Sequence, residues 1–254
     1  TISNTGPIAL AGSVNASSGN ITLVTDQIDL SAGSLQTTGN VYLRPFTPGT
    51  AVSIGGSSTF DLSQTELINI NNSVNRIFVG EDATPTVTAG AVTIGSVSAV
   101  NIGTRNLTVA GTSITAGGNT LTVDTTKNLT LKASTGAVDG NAGAGVDFSA
   151  GSLTITAGTG IGTGNAISTN TTGNLTLTSG GSGTAGNISV IEANALDTSR
   201  VFVTTNAASA QSVSLTGTNA GGVTIGANIG NSADDISLIA TTGKITEGAG
   251  VVTG

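Results

Sequence analysis

The chain has 254 residues, of which 38 are glycine, 8% charged and 2% aromatic, and it contains no cysteine or histidine. That composition excludes a disulfide framework, nucleophile–base dyads and typical zinc sites, and no apolar run of about 18 residues exists to span a membrane as a helix. The net charge of −7, with seven Lys and Arg residues scattered along the chain, leaves no basic patch and argues against nucleic acid.

Thr, Ser, Asn, Gly and Val dominate, good helix formers are few, and Ile, Leu and Val recur too regularly for a disordered chain. The chain therefore reads as all-β. From the start, apolar–polar–apolar triplets recur: Ile8/Leu10, Ile21/Leu23, Ile28/Leu30 and Val41/Leu43. Alternation sends the two apolar side chains of a triplet to one face and the middle residue to the other. Gly, Asn, Asp and Ser, which tolerate tight corners, lie between triplets.

Residues 41–80 break this rhythm. Pro45 and Pro48 remove ladder donors, so residues 43–49 cannot form a central strand and read as a projecting loop. Ser63 and Glu66 stand at capping-box spacing, which predicts a helical turn over 64–69 with Leu67 and Ile70 facing inward.

Beyond this segment the triplets resume and run from Val92/Ile94 to Ile236/Leu238. Many open with an Asn-headed word, such as Asn106-Leu107-Thr108-Val109, Asn128-Leu129-Thr130-Leu131 and Asn174-Leu175-Thr176-Leu177. The spacing is 20 residues from Asn20 to Asn40, 22 from Asn106 to Asn128, and 46, about two steps, from Asn128 to Asn174. A period of 20 to 23 with two or three short strands per period predicts a parallel β-helix, or β-solenoid, rather than a sandwich. Over residues 1–254, one continuous solenoid of roughly 11–12 rungs is expected, with an irregular insertion at 44–76. The chain opens and closes inside the pattern and reads as an excerpt from a longer polypeptide.

Middle residues of the triplets should form an outward hydroxyl ladder, including Thr22, Thr93, Thr108, Thr122, Thr130, Thr154, Thr176, Ser189, Ser214, Thr224 and Ser237. Exposed β-propensity explains them, and a face for glycan or ice is the sharper alternative. Thr-x-Thr pairs occur at Thr86/Thr88, Thr120/Thr122, Thr154/Thr156 and Thr176/Thr178, without the strict period that ice would need. The Asn residues should stack as an internal or corner ladder.

The closest acidic pairs are Asp26/Asp29, Glu81/Asp82 and Asp234/Asp235, and each reads as a solvated or corner pair rather than a catalytic one. Asp26 and Asp29, an odd number of positions apart, should point to opposite faces. Gly117-Gly118-Asn119 and Gly180–Gly183 lack the Asp of a calcium-binding roll. The glycine-rich stretches at 140–145 and 158–164 do not lead into helices and read as corners or flexible loops. Asn-x-Ser/Thr sequons at Asn15, Asn20, Asn71, Asn106, Asn128, Asn170, Asn174 and Asn187 are largely what this composition gives by chance. No catalytic residue, cofactor or metal is expected, and the chain does not read as an enzyme.

The series Leu43-Arg44-Pro45, Gly49, Val52-Ser53-Ile54-Gly55, Leu62-Ser63-Gln64-Thr65-Glu66-Leu67 and Ile77-Phe78-Val79-Gly80 resembles a recurrent unit of very large bacterial surface exoproteins of the filamentous-haemagglutinin type. The flanking Asn-Leu-Thr-Leu words are similar to the ordinary repeats of those proteins. The resemblance implies a right-handed β-helix, export by a partner transporter, and work at the cell surface as an adhesin or extracellular fibre. Expected partners are the other rungs and domains of the same polypeptide, a second copy end to end in a filament or sheath, and a glycan or protein of a host or neighbouring cell.

Overall fold

The computed structural model describes residues 1–143, 145–180, 186–205, 210–230 and 232–252. It is a β-solenoid of about ten turns built from stacked parallel sheets. The first sheet contains nine strands in chain and spatial order: Ile2–Ser3, Ile21–Val24, Asn40–Arg44, Arg76–Val79, Asn106–Gly111, Asn128–Ala133, Ser152–Ala157, Leu175–Ser179 and Val201–Thr204. Every neighbouring pair is parallel, so each strand bonds to the same segment one turn away.

Register explains the triplets. Ile21, Val41, Ile77, Leu107, Leu129, Leu153, Leu175 and Val201 form one column in the core. Leu23, Leu43, Val79, Val109, Leu131, Ile155 and Leu177 form the next. Both columns are buried. Each such side chain contributes about 1.5–3 kcal/mol of transfer free energy, so a one-residue slip of any strand would forfeit its whole core set.

The pairing offsets correct the turn count. Leu107 pairs with Leu129, Leu129 with Leu153 and Leu153 with Leu175, steps of 22, 24 and 22 residues. Val41, however, pairs with Ile77 and Ile77 with Leu107, steps of 36 and 30. Two long turns consume the residues that a uniform period would have divided into 11–12 rungs.

The other two walls share a 13-stranded sheet. They run as separate lanes until Gly160–Ile161 and Ile167–Thr171 both pair with the single strand Ile188–Glu192, where the corner between the lanes disappears. Gly160 and Ile161 are buried in that sheet, so residues 158–164 are not simply a corner or flexible loop. Within the long turn, Val52–Ile54 and Phe60–Leu62 are parallel neighbours in this sheet, joined by only residues 55–59. Ser58 N–H donates to Ser53 Oγ at 2.9 Å, Gly56 N–H to Asp61 at 3.1 Å, and Ser53 Oγ–H also bonds Asp61. This polar knot lets a short link do the work of a full crossover.

An α-helix, α1 (Gln64–Ile68), the single one among the described residues, follows. Its capping box is formed by Ser63 and Glu66 as the spacing predicts, and Leu67 and Ile70 are buried against the rod. The Asn-headed words also have a structural cause. Asn20 Oδ1 accepts from Asn40 N–H at 2.9 Å, Asn106 Oδ1 from Asn128 N–H at 3.0 Å, and Asn187 Oδ1 from Ser212 N–H at 2.9 Å. Each carboxamide extends the backbone ladder by one bond at a corner.

Candidate interaction surfaces

The outward face of the first sheet carries a sharp separation of charge. None of the fourteen acidic residues lies on its nine strands. Arg44, Arg76 and Lys132 lie on those strands, while Arg105, Lys127 and Arg200 each immediately precede one. Five of the seven cations that look scattered in sequence thus lie on or beside these strands, while the Arg105 side chain lies buried against α1. The winding causes this, because residues 20 to 36 apart return to the same face.

Along this wall the middle positions read Thr22, Tyr42, Phe78, Thr108, Thr130, Thr154, Thr176 and Phe202, in register. The lower half is covered. Tyr42 and Phe78 stack with centroids 4.6 Å apart and planes 10° from parallel. Arg76 lies over Phe78 at 5.9 Å from the ring centroid and donates through Nη1 to Thr108 Oγ1 at 2.9 Å. Burial lowers the Arg76 pKa, against the opposing pull of Glu81.

Glu81 overturns its sequence-based assignment as a solvated or corner residue. It is 1% exposed and receives Lys132 Nζ at 2.9 and 3.0 Å, two turns further on. Asp82 stays at a turn, accepting from Thr84 Oγ1 and from the amides of Thr84 and Thr86, and the Thr84 hydroxyl is the main cause of its lowered pKa.

The upper half is open. Thr154/Thr156 and Thr176/Thr178 stand side by side on successive strands, next to Phe202, which is 50% exposed. The other expected ladder positions do not join them. Thr93, Ser189, Ser214 and Ser237 lie on the second wall, whereas Thr122 lies on the third and Thr224 in a small separate sheet. Thr88 is buried beside Gly80, to whose carbonyl it donates at 3.2 Å. The single hydroxyl ladder is therefore divided among the walls, and Thr-x-Thr pairs adjoin in only two turns of the first sheet.

The second candidate surface surrounds α1, which takes the place of a strand on the third wall. A helix cannot offer strand hydrogen bonds sideways, so side chains supply them. Gln64 receives Asn101 N–H on Oε1 at 2.6 Å and donates from Nε2 to Asn101 O at 3.1 Å, standing in for a peptide group. Glu66 accepts from Leu30 N–H at 3.1 Å and Ser63 N–H at 2.8 Å, and Asn69 Nδ2 donates to Leu30 O at 2.8 Å. Arg105, in the next turn, donates from Nε to Ile102 O and from Nη1 to Leu67 O, both at 2.8 Å, and also to Ile70 O. It closes the carbonyl end of α1, and burial lowers its pKa to about 10. The sequence reading found the cap but none of these cross-turn partners, which lie 35 to 38 residues away in the case of α1 and Arg105.

Asp26 and Asp29 have separate tasks, and because Asp26 lies in a bend outside any strand, strand alternation does not govern the pair. Asp26 accepts from Thr47 N–H at 2.8 Å and Thr47 Oγ1 at 2.6 Å, holding the Pro45–Pro48 loop. Burial would raise its pKa, but these bonds lower it. Asp29 caps Ser31 locally. Asp235 heads the strand Asp235–Ala240 at a corner, while Asp234 beside it is buried and accepts from Thr205 Oγ1 at 2.8 Å. Asp147 is buried between turns, bonded to Asn141 and Ser168, and burial raises its pKa despite those bonds. Glu192 is enclosed by four donors from Thr169, Thr171 and Asn194. No three acidic side chains converge as a metal site among the described residues.

Most sequon asparagines have carboxamides engaged in turns or ladders, including Asn15, Asn20, Asn71, Asn106, Asn170 and Asn187. Gly181–Gly183 and Ala144, within two of the glycine-rich stretches, lie outside the described residues. No family model, curated protein or solved structure matches the chain.

Proposed function

We propose that the chain is a structural rod or stalk segment of an exported bacterial surface adhesin or extracellular fibre. The observation that carries this reading is the first sheet: nine parallel strands in continuous register, each bonded to its counterpart one turn away over an unbroken aliphatic core. About ten turns at about 4.8 Å per turn make a rod about 50 Å long. Bending it would require slipping many ladder bonds and core side chains together, and that is the stiffness a spacer needs.

The resemblance of residues 43–80 to exoproteins of the filamentous-haemagglutinin type supports the export and adhesive parts of the reading. The role is mechanical rather than enzymatic: acidic side chains hold corners and buried joints, and the net charge keeps the rod soluble. Immunolabelling of intact producing cells tests it. Surface labelling is expected, together with slender rods in electron micrographs of the purified chain. Labelling only after the cells are permeabilised would overturn the surface role.

A further inference from the structure

Beside α1 lies a notch of about 270 Å³ lined by Gln64, Ile68, Asn72, Asn101, Gly103 and Arg105. Arg105 forms its base. The residue is 2% exposed, and no carboxylate among the described residues lies within ion-pair distance of it. Its Nε and Nη1 are committed to three backbone carbonyls, but Nη2 makes no hydrogen bond among the described residues. Arg105 lines the notch, and Nη2 is the one guanidinium nitrogen left to meet a ligand there.

The lining completes a donor set. Asn101 Oδ1 accepts from Gly103 N–H at 2.8 Å, and among the described residues neither its Nδ2 nor the Asn72 side chain makes a hydrogen bond. The Gln64 carboxamide is locked to the Asn101 backbone and holds this strand against the helix. Ile68, 61% exposed, provides an apolar wall. The lining contains no acidic residue.

We propose that this notch is a binding site for a small oxyanion, a carboxylate or phosphate group, seated on Arg105 Nη2 and flanked by the carboxamides of Asn72 and Asn101. A buried guanidinium satisfied only by carbonyls keeps its full charge, and an anion at Nη2 would add a charge-assisted hydrogen bond that the carbonyls do not supply. Ile68 would cover the apolar part of the molecule that carries the group. The site rests on these side chains alone and is independent of the rod's role at a cell surface.

Nitrogen-15 NMR titration of the full chain tests it, following the Arg105 Nε–H and the side-chain amides of Asn72 and Asn101. Sodium acetate and sodium phosphate are compared with sodium chloride at matched ionic strength. A saturable, millimolar shift of the Arg105 signal with acetate or phosphate is expected, and the two arms identify which oxyanion the notch accepts. Asn101→Asp keeps an acceptor for Gly103 N–H but places a carboxylate at the rim, so affinity should fall at least about tenfold. Should that variant misfold, Asn72→Asp, at a side chain without hydrogen bonds, serves the same purpose. Shifts that do not saturate, that chloride reproduces, or that survive in the folded Asp variant would overturn the site.

Discussion

The regular turns of residues 106–179 and the long turn of residues 40–75 are two solutions to one problem. In the regular turns, the strands pair through backbone groups over a core that is aliphatic but for Phe148, and side-chain bonds such as Lys132 to Glu81 supplement those ladders. In the long turn a helix interrupts the third wall, and Glu66, Gln64, Asn69 and Arg105 replace the missing ladder bonds. A stacked fold therefore tolerates an irregular turn when polar side chains imitate the peptide groups it lacks. Apolar columns run through both regions, and the long turn adds a polar joint to them.

The largest test of that contrast is Leu131→Ala in the core of a regular turn. Leu131 is fully buried, and truncation should cost about 2–5 kcal/mol, read as a lower midpoint in urea unfolding. A loss below about 1 kcal/mol would mean that neighbouring turns collapse into the cavity and that the columns are not close-packed.

Glu66→Ala should come next, at about 1–3 kcal/mol, because it strands the Leu30 and Ser63 amides. Its signature is local: hydrogen exchange should accelerate at Leu30 and across residues 63–70 while Leu129 and Leu153 keep their protection. Uniform acceleration along the rod would erase the distinction between the two regions.

Thr154→Val should be nearly silent, within about 0.5 kcal/mol, since the Thr154 hydroxyl makes no hydrogen bond among the described residues and valine keeps the β-branched shape. A larger loss by the same urea measurement would show that the open threonine rows are part of the scaffold.

Much of the fold was legible because its signal is local. Triplets such as Ile21-Thr22-Leu23 declare which side is buried, Asn-headed words mark strand starts, and Ser63 with Glu66 announces the helix. The Asn words overcount the turns, because they sample only regular turns and say nothing of the 36-residue step from Val41 to Ile77. Glu81 was misplaced for a related reason: its partner Lys132 is 51 residues away, and only the winding brings them together.

Local pattern is enough to dictate that strands form, which side chains enter the core, and that turns repeat, because alternation and corner residues act over a few bonds. The number of residues in each turn, the cations that share the first wall, and the place of Arg105 beneath α1 emerge instead from the winding of the whole chain. Those outcomes depend on the path length between successive passes of the chain, a quantity summed over whole turns that no short window of residues contains.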